Sequence, residues 1–342
     1  MEVAAQTRKY SNEFLAIGVG ARALGMSGTQ VASVDDLTSS YWNPAGLLGV
    51  DSDLQIGAMH AEYFAGIAKY DYAGFAKSIS DSEAIGFSFV RFGVDDIPNT
   101  TELIDANGII DYDRITRFSA ADYAFLFSYA RQIKTGLSVG GNAKIIHRTV
   151  GDFGKSWGFG LDAGLQYRTK KWLLGAMARD ITTTVNAWSY TLDEATINAF
   201  TITNNEIPEN SSEITLPKLI LGAAREFKIT EKIDLLAAMD FDVSTDGRRN
   251  VLVSADPFSI DPHIGLEGSL NKVIFLRLGA GNIQTIEETP GEEKRIFQPN
   301  FGIGIKLNTI TLDYALTDIG DQSVALFSNV FSLKIDINKP DI

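Results

Sequence analysis

There is no cysteine in this sequence, which removes disulfide scaffolds, thiol chemistry and cysteine-ligated metals together. Positive charge is in deficit. Against 43 Asp and Glu stand only 30 Lys and Arg, a formal net charge of −13, so the basic face that nucleic acid requires is missing and no nucleic-acid partner is expected. No apolar run approaches the roughly 18 residues of a transmembrane helix. The opening MEVAAQTRKY has no apolar core of a secretory signal, and FLAIGVGA behind it is broken by glycine, so an exported form is expected to be a processed one. Hydrophobic residues nevertheless make up 45% of the 342, which excludes disorder. A mean hydropathy close to zero suits a soluble protein, but it equally suits a transmembrane barrel whose strands alternate lipid-facing and lumen-facing residues.

What is present in quantity is that alternation. FGIGIKL sets Phe301, Ile303, Ile305 and Leu307 against Gly302, Gly304 and Lys306, and TITLDYAL sets Ile310, Leu312, Tyr314 and Leu316 against Thr311, Asp313 and Ala315. Period two sustained in this way means strands with one apolar face. About fourteen such runs follow one another from 54–62 to 326–337. Even-numbered runs are followed by short turns such as TKKW, ITEK, LNK and LNT. The third, seventh, ninth and eleventh are followed by long polar connections at 94–118, 181–213, 243–261 and 282–297. Loop length sorted by strand parity is a property of outer-membrane barrels. Lys144, Asp162, Asp240, Glu267, Arg277, Lys306, Asp313 and Lys334 all fall on the polar register, which looks into the lumen. On the lipid face at mid-bilayer an Arg or Lys would cost about 2–4 kcal/mol. Trp157, Phe153, Tyr167 and Trp172 sit at strand ends, where interfacial girdles belong. The expected fold is therefore all-β: a transmembrane antiparallel barrel of about fourteen strands over 51–338, in the outer membrane and in contact with its lipid.

Residues 1–50 differ from everything behind them, and a barrel this wide is not filled by its own side chains. GVGARALGMSGTQVASVDDLTSSYWNPAGLL, rich in small residues, is expected to fold inward as a plug with short helices. Asp36 would cap a helix over LTSSYW, Pro44 would start another after Asn43, and Arg22 would pair with the Asp35–Asp36 dyad.

The segment EFLAIGVGARALGMSGTQVASVDDLTSSYWNPAGLL resembles the N-terminal signature of the PorV/PorQ family, within the wider FadL-like group of outer-membrane barrels. The residues that carry the resemblance are Gly20, Ala21, Arg22, Ala23, Gly25, Met26 and Gly28, then Ala32, Asp35 and Asp36, then Trp42, Asn43, Pro44, Ala45 and Gly46. The resemblance implies a fourteen-stranded barrel plugged by its N-terminal hatch. It also implies a role as a type IX secretion partner that binds a large translocon barrel and the C-terminal signal domains of exported proteins. Trp188 and Tyr190, in the long connection 181–213, are the expected partner-binding anchors. The FadL branch implies the alternative, passive transport of hydrophobic small molecules. That role needs an apolar pocket between plug and wall and a kinked strand, for which Gly140-Gly141 and Gly279-Ala280-Gly281 are the candidates.

Other motifs carry less. Ile17-Gly18-Val19-Gly20 mimics a dinucleotide fingerprint without the surrounding βαβ unit. DVSTDG at 242–247 mimics a calcium loop, but Val253 stands where the bidentate glutamate belongs. Among His60, His147 and His263, only His147 lies on an outward register where a barrel enzyme could pair it with a serine, and Ser156 is a loose partner. TLDEA at 191–195 reads as a capping box. No catalytic, metal or cofactor site is expected, and no enzymatic activity.

Overall fold

The computed structural model describes residues 11–104, 109–289, 292–317 and 327–338. The first six strands are β1 Leu54–Tyr63, β2 Ala68–Ser80, β3 Glu83–Asn99, β4 Thr116–Lys134, β5 Leu137–Val150 and β6 Gly154–Arg168. Then come β7 Leu173–Arg179, β8 Thr184–Tyr190, β9 Ser211–Thr215, β10 Lys218–Lys228, β11 Ile233–Ser244 and β12 Val253–Ser254. The last five are β13 Ser259–Leu270, β14 Ile274–Thr289, β15 Glu292–Leu307, β16 Ile310–Thr317 and β17 Ser328–Ile337. All pairings are antiparallel, and β1 with β17 closes the sheet, so no edge is left open to lipid.

The seventeen segments make fourteen staves. β7 and β8 both pair with β6, at Ala163↔Ala178 and Gly154↔Tyr190, so they are two halves of one stave. β9 and β10 pair with β8 and β7 in turn and form the next stave, while β12 is a short appendage on β13. Connections at one end are two to four residues long, at 81–82, 135–136, 169–172, 229–232, 271–273 and 308–309. Longer ones, at 100–115, 191–210 and 245–258, gather at the other.

The expected long loop 282–297 is largely strand, and the loop 94–118 is shortened to 100–115 by strand at both ends. β14 and β15 run on to Thr289 and from Glu292, and β3 and β4 extend to Asn99 and from Thr116. Beyond the lipid both faces of a hairpin are wet, so hydrophobic alternation stops while hydrogen-bonded pairing continues. The connection 181–213 holds β8, α3 Glu194–Ile202 and the start of β9. The helix is capped by Asp193, which accepts from the Thr196 amide at 2.7 Å, and not by Thr191.

Inside the barrel, residues 11–50 are folded into single turns: 3₁₀ turns at Glu13–Ala16 and Pro44–Gly49, and helices α1 Ala21–Leu24 and α2 Ser39–Trp42. Asn43 caps the second 3₁₀ turn by accepting from the Ala45 amide, with Pro44 at its first position. Asp36 accepts from the Thr38 amide and hydroxyl just ahead of α2. None of these turns could persist alone; their order comes from burial. Phe14, Val19, Leu37, Tyr41, Trp42 and Leu47 form one core with Met59, Tyr70, Tyr72, Val90, Leu126 and Ile146 of the wall.

Candidate functional site

Two things shape the lumen: how this hatch is fixed to the wall, and the space it leaves. The fixing begins with glycine. A Cβ on Gly175 would lie 2.2 Å from the Val31 carbonyl oxygen, and one on Gly140 would lie 2.6 Å from the Ala45 nitrogen. Gly279 and Gly265 are similarly pressed against Met26, and Gly302 against Gly25. The wall therefore carries inward glycines wherever hatch backbone touches it. Of the two kink candidates, Gly140-Gly141 stays in paired register, its inward Gly140 making room for the hatch, whereas Gly279-Ala280-Gly281 ends at a register shift between Gly281 and Gln284, with Gly279 against the hatch and Gly281 against His263.

Charge supplies the second fixing. Arg22 grips Glu267 through two hydrogen bonds of 3.0 Å and reaches Asp35 at 2.7 Å. Glu267 also meets Arg277 at 2.6 Å, Arg277 meets Asp313 at 2.7 Å, and Lys334 meets Asp36 at 2.6 Å. Hatch residues Arg22, Asp35 and Asp36 thus join four wall charges in one network, in which a partner satisfies each buried ion. Polar ties complete the seal. Asp240 accepts from the Gln30 and Val31 amides, at 2.8 and 3.0 Å. The Asn43 amide donates to the Val31 and Leu165 carbonyls, at 2.8 and 3.0 Å. Among the remaining motif residues, the Gly20 amide points at the Met59 sulfur at 3.0 Å, Gly28 lies against the Trp42 ring, and Gly46 against Val34. Ala23, Met26, Pro44 and Ala45 are buried packing.

Above the hatch, toward the long loops, a cavity of about 840 Å³ remains. Leu15, Ile17, Tyr41 and Trp42 form its floor, Tyr63 and Phe92 part of one side, and Lys218, Asp242, Asp261 and His263 part of the other. Arg179 lies over the Tyr41 ring at 4.6 Å and donates to the Tyr41 and Leu15 carbonyls, at 3.2 and 3.4 Å.

The wall beside this cavity is interrupted. Between β7 and β8 the chain bulges through 180–183, with Asp180 and Thr183 at φ 53 and 59, values that non-glycine residues seldom adopt. On the facing stave Leu216-Pro217 breaks the ladder between β9 and β10. Inside the bulge, Lys144 bridges Asp162 at 3.0 Å and Asp180 at 2.6 Å, and Thr184 bonds Asp180. Asn142 links this cluster to the hatch, donating to the Ser40 carbonyl at 2.9 Å and to Asp162 at 3.3 Å. Outside the bulge lies an apolar groove of about 670 Å³ bordered by Phe87, Phe127, Tyr129, Leu161 and Ile181. Asp162 borders the cavity and the groove alike, so the two spaces approach each other across a single stave.

The expected partner anchors are elsewhere. Trp188 and Tyr190 lie on β8 and not in a free loop. Trp188 is 8% exposed on the inward register, stacked on Tyr190 at 5.6 Å with Arg148 at 5.1 Å over its ring. Period-two geometry turns both toward the lumen side of the stave. His147 is outward as expected, but it stacks on Trp157 at 4.1 Å and faces the Ser156 carbonyl at 3.0 Å, while the Ser156 hydroxyl is buried away from it. The histidine is part of an aromatic girdle with Tyr123 and Trp157. Asp246 of the calcium-like loop is paired with Arg249, and among the described residues no cluster of three metal-ligating side chains is assembled. Sequence reasoning missed the Lys144–Asp162–Asp180 cluster. Its only signal was the inward register of the first two members.

No family model and no curated protein matches the chain. Solved structures do. It is similar to CymD, a monoaromatic hydrocarbon channel, with TM-score 0.58 and 13% identity over 95% of this chain and 99% of that one. It is similar to the Pseudomonas putida toluene transporter TodX, with TM-score 0.56 and 13% identity over 94% and 99%. A Pseudomonas aeruginosa FadL homologue gives TM-score 0.53 and 12% identity over 93% and 98%. At these identities the likeness is one of fold, a FadL-like closed barrel of fourteen strands.

Proposed function

We propose that this chain is a non-enzymatic, passive channel for small hydrophobic molecules in the outer membrane of a Gram-negative-type bacterium. The short turns face the periplasm and the long loops face outward. The observation that carries the reading is the pairing of a partly apolar cavity above a tightly fixed hatch with an outer apolar groove across one interrupted stave. A solute entering from the long-loop side meets the hatch as a floor. The thinnest barrier left to it is the wall at Asp162 and Ile181. Fold similarity to hydrocarbon channels supports this reading over partnership in secretion. Partnership in secretion is supported only by the resemblance of the hatch motif, while Trp188 and Tyr190 lie on the lumen side of β8.

The test is occupancy. Purified protein soaked with a monoaromatic hydrocarbon should hold it between Trp42, Tyr63 and Phe92, and Phe92→Ala should hold it less well. A hydrocarbon-free cavity, with a translocon barrel or secreted signal domains co-purifying from native membranes, would instead restore the secretion reading.

A further inference from the structure

At the short-turn rim, Trp172 ends the turn 169–172 and Arg225 stands beside it on the neighbouring stave, next to the pair Leu173↔Ala224. The Arg225 guanidinium lies between two rings, 5.4 Å from the centre of Trp172 and 4.8 Å from that of Phe227. Trp172 is 46% and Phe227 37% exposed. Arg225 is on the register of Leu219, Leu221 and Ala223, which points away from the lumen. Among the described residues no carboxylate comes within 4.0 Å of it, in contrast to the lumen arginines Arg22 and Arg277. Around it the turns 169–172 and 229–232 carry Lys170, Lys171 and Lys232, while Lys228 ends β10 on the lumen register. The nearby acids are Glu226 and Asp234, on the lumen register, and Glu231, in the 229–232 turn.

Stacking on aromatic rings fixes a guanidinium flat while leaving its edge donors free, and that edge matches a phosphate in bidentate geometry. An outward arginine at mid-bilayer would be costly, but at the interface the cost falls close to zero. A neighbouring tryptophan marks that interface. We infer that the Trp172–Arg225–Phe227 clasp is a binding site for the phosphodiester of an anionic phospholipid in the leaflet around the short-turn rim, with Lys170, Lys171 and Lys232 of the two turns supplying the preference for net negative headgroups. The inference rests on the short-turn rim lying in a lipid leaflet; it is independent of what the lumen carries.

Native mass spectrometry of the detergent-solubilised protein, titrated with phosphatidylglycerol or phosphatidylcholine of the same chain length, tests it. Wild type should retain phosphatidylglycerol in preference. Arg225→Gln should weaken that binding by about five- to tenfold. Trp172→Leu, which keeps the charge, should weaken it less, and Arg225→Lys should fall between wild type and Arg225→Gln. Hydrocarbon uptake should be unchanged in all three, which separates failure of this site from failure of the channel reading. Equal retention of the two lipids, or phosphatidylglycerol binding untouched by Arg225→Gln, overturns the site. So does full displacement of the lipid by inorganic phosphate, which would make the clasp a receptor for the free anion.

Discussion

Removing Arg22 should release the hatch without unfolding the barrel. In Arg22→Ala the double hydrogen bond to Glu267 is lost, but Glu267 keeps Arg277 at 2.6 Å, so no buried charge is left wholly unpaired. Breaking a buried pair costs about 3–5 kcal/mol, and the surviving partner puts this case at the lower end, about 3 kcal/mol. The contact to Asp35 adds less than about 1 kcal/mol, because the Asp35 side chain is 39% exposed and screened. Since 1.4 kcal/mol is a factor of ten, the opening equilibrium of the hatch should rise about a hundredfold. Native-state hydrogen exchange on protein in lipid nanodiscs reads this directly, at amides bonded within the hatch such as Leu24 to Gly20 and Gly28 to Ala23. Those amides should exchange about a hundredfold faster, those of β3–β5 at the wild-type rate, and single-channel conductance should rise. Asp35→Asn is the control and should change exchange less than about fivefold. The reasoning is refuted if hatch protection is unchanged in Arg22→Ala, or if Asp35→Asn matches it.

Three further outcomes are expected. Gly140→Ala should destabilise by about 1–3 kcal/mol, because its Cβ would meet hatch backbone at 2.6 Å. Gly141→Ala, facing lipid with only the Asp162 carbonyl oxygen at 3.4 Å, should be tolerated; denaturant unfolding that ranks the two alike would dismiss the glycine seat. Lys144→Met strands Asp162 and Asp180 and should cost about 3–5 kcal/mol, most of it recovered when both acids are also made Asn. A wild-type melting curve for Lys144→Met would show the cluster to be inert. The hydroxyl and amide of Thr196 hold the Asp193 carboxyl below the usual carboxylate range. Its folded value is thus depressed, so the cap is complete above the ordinary aspartate range and fails as pH falls through the depressed value. Protection factors in 194–202, taken relative to the intrinsic exchange rate at each pH, should fall on acidification and stay constant in Asp193→Asn; identical acid profiles would contradict this.

Much of the fold can be read from alternation, because a membrane enforces a clean apolar face: Phe301, Ile303 and Ile305 point out, Lys144 and Arg277 point in. The pairing of Arg22 with Asp35 and the turn at Asn43-Pro44 are legible, since a lone cation beside two acids, and Asn before Pro, have few local solutions; the contacts of Arg22 to Glu267 and of Asn43 to the Val31 and Leu165 carbonyls join distant parts of the chain and are not. Where lipid stops, so does the signal. Trp188 and Tyr190 read as loop because no apolar register frames them, yet hydrogen bonding carries the stave onward. The interruption at Asp180 and Thr183 is hidden for another reason. Non-glycine residues at positive φ leave no mark in sequence, whereas Gly140 and Gly279, which suggested a kink, serve close packing.

The most direct test of the channel account is to lock the wall. Leu161 and Ile181 face each other across the interruption, joined by a 2.9 Å hydrogen bond from the Ile181 amide to the Leu161 carbonyl. With no native cysteine, the double variant Leu161→Cys/Ile181→Cys offers a single disulfide. Uptake of a radiolabelled monoaromatic hydrocarbon is then compared in cells whose outer membrane carries this barrel in oxidised or reduced form. The account expects uptake close to wild type when reduced and abolished when oxidised. Equal uptake in both states would contradict passage through the wall, and no uptake in either state or in wild type would contradict the channel itself.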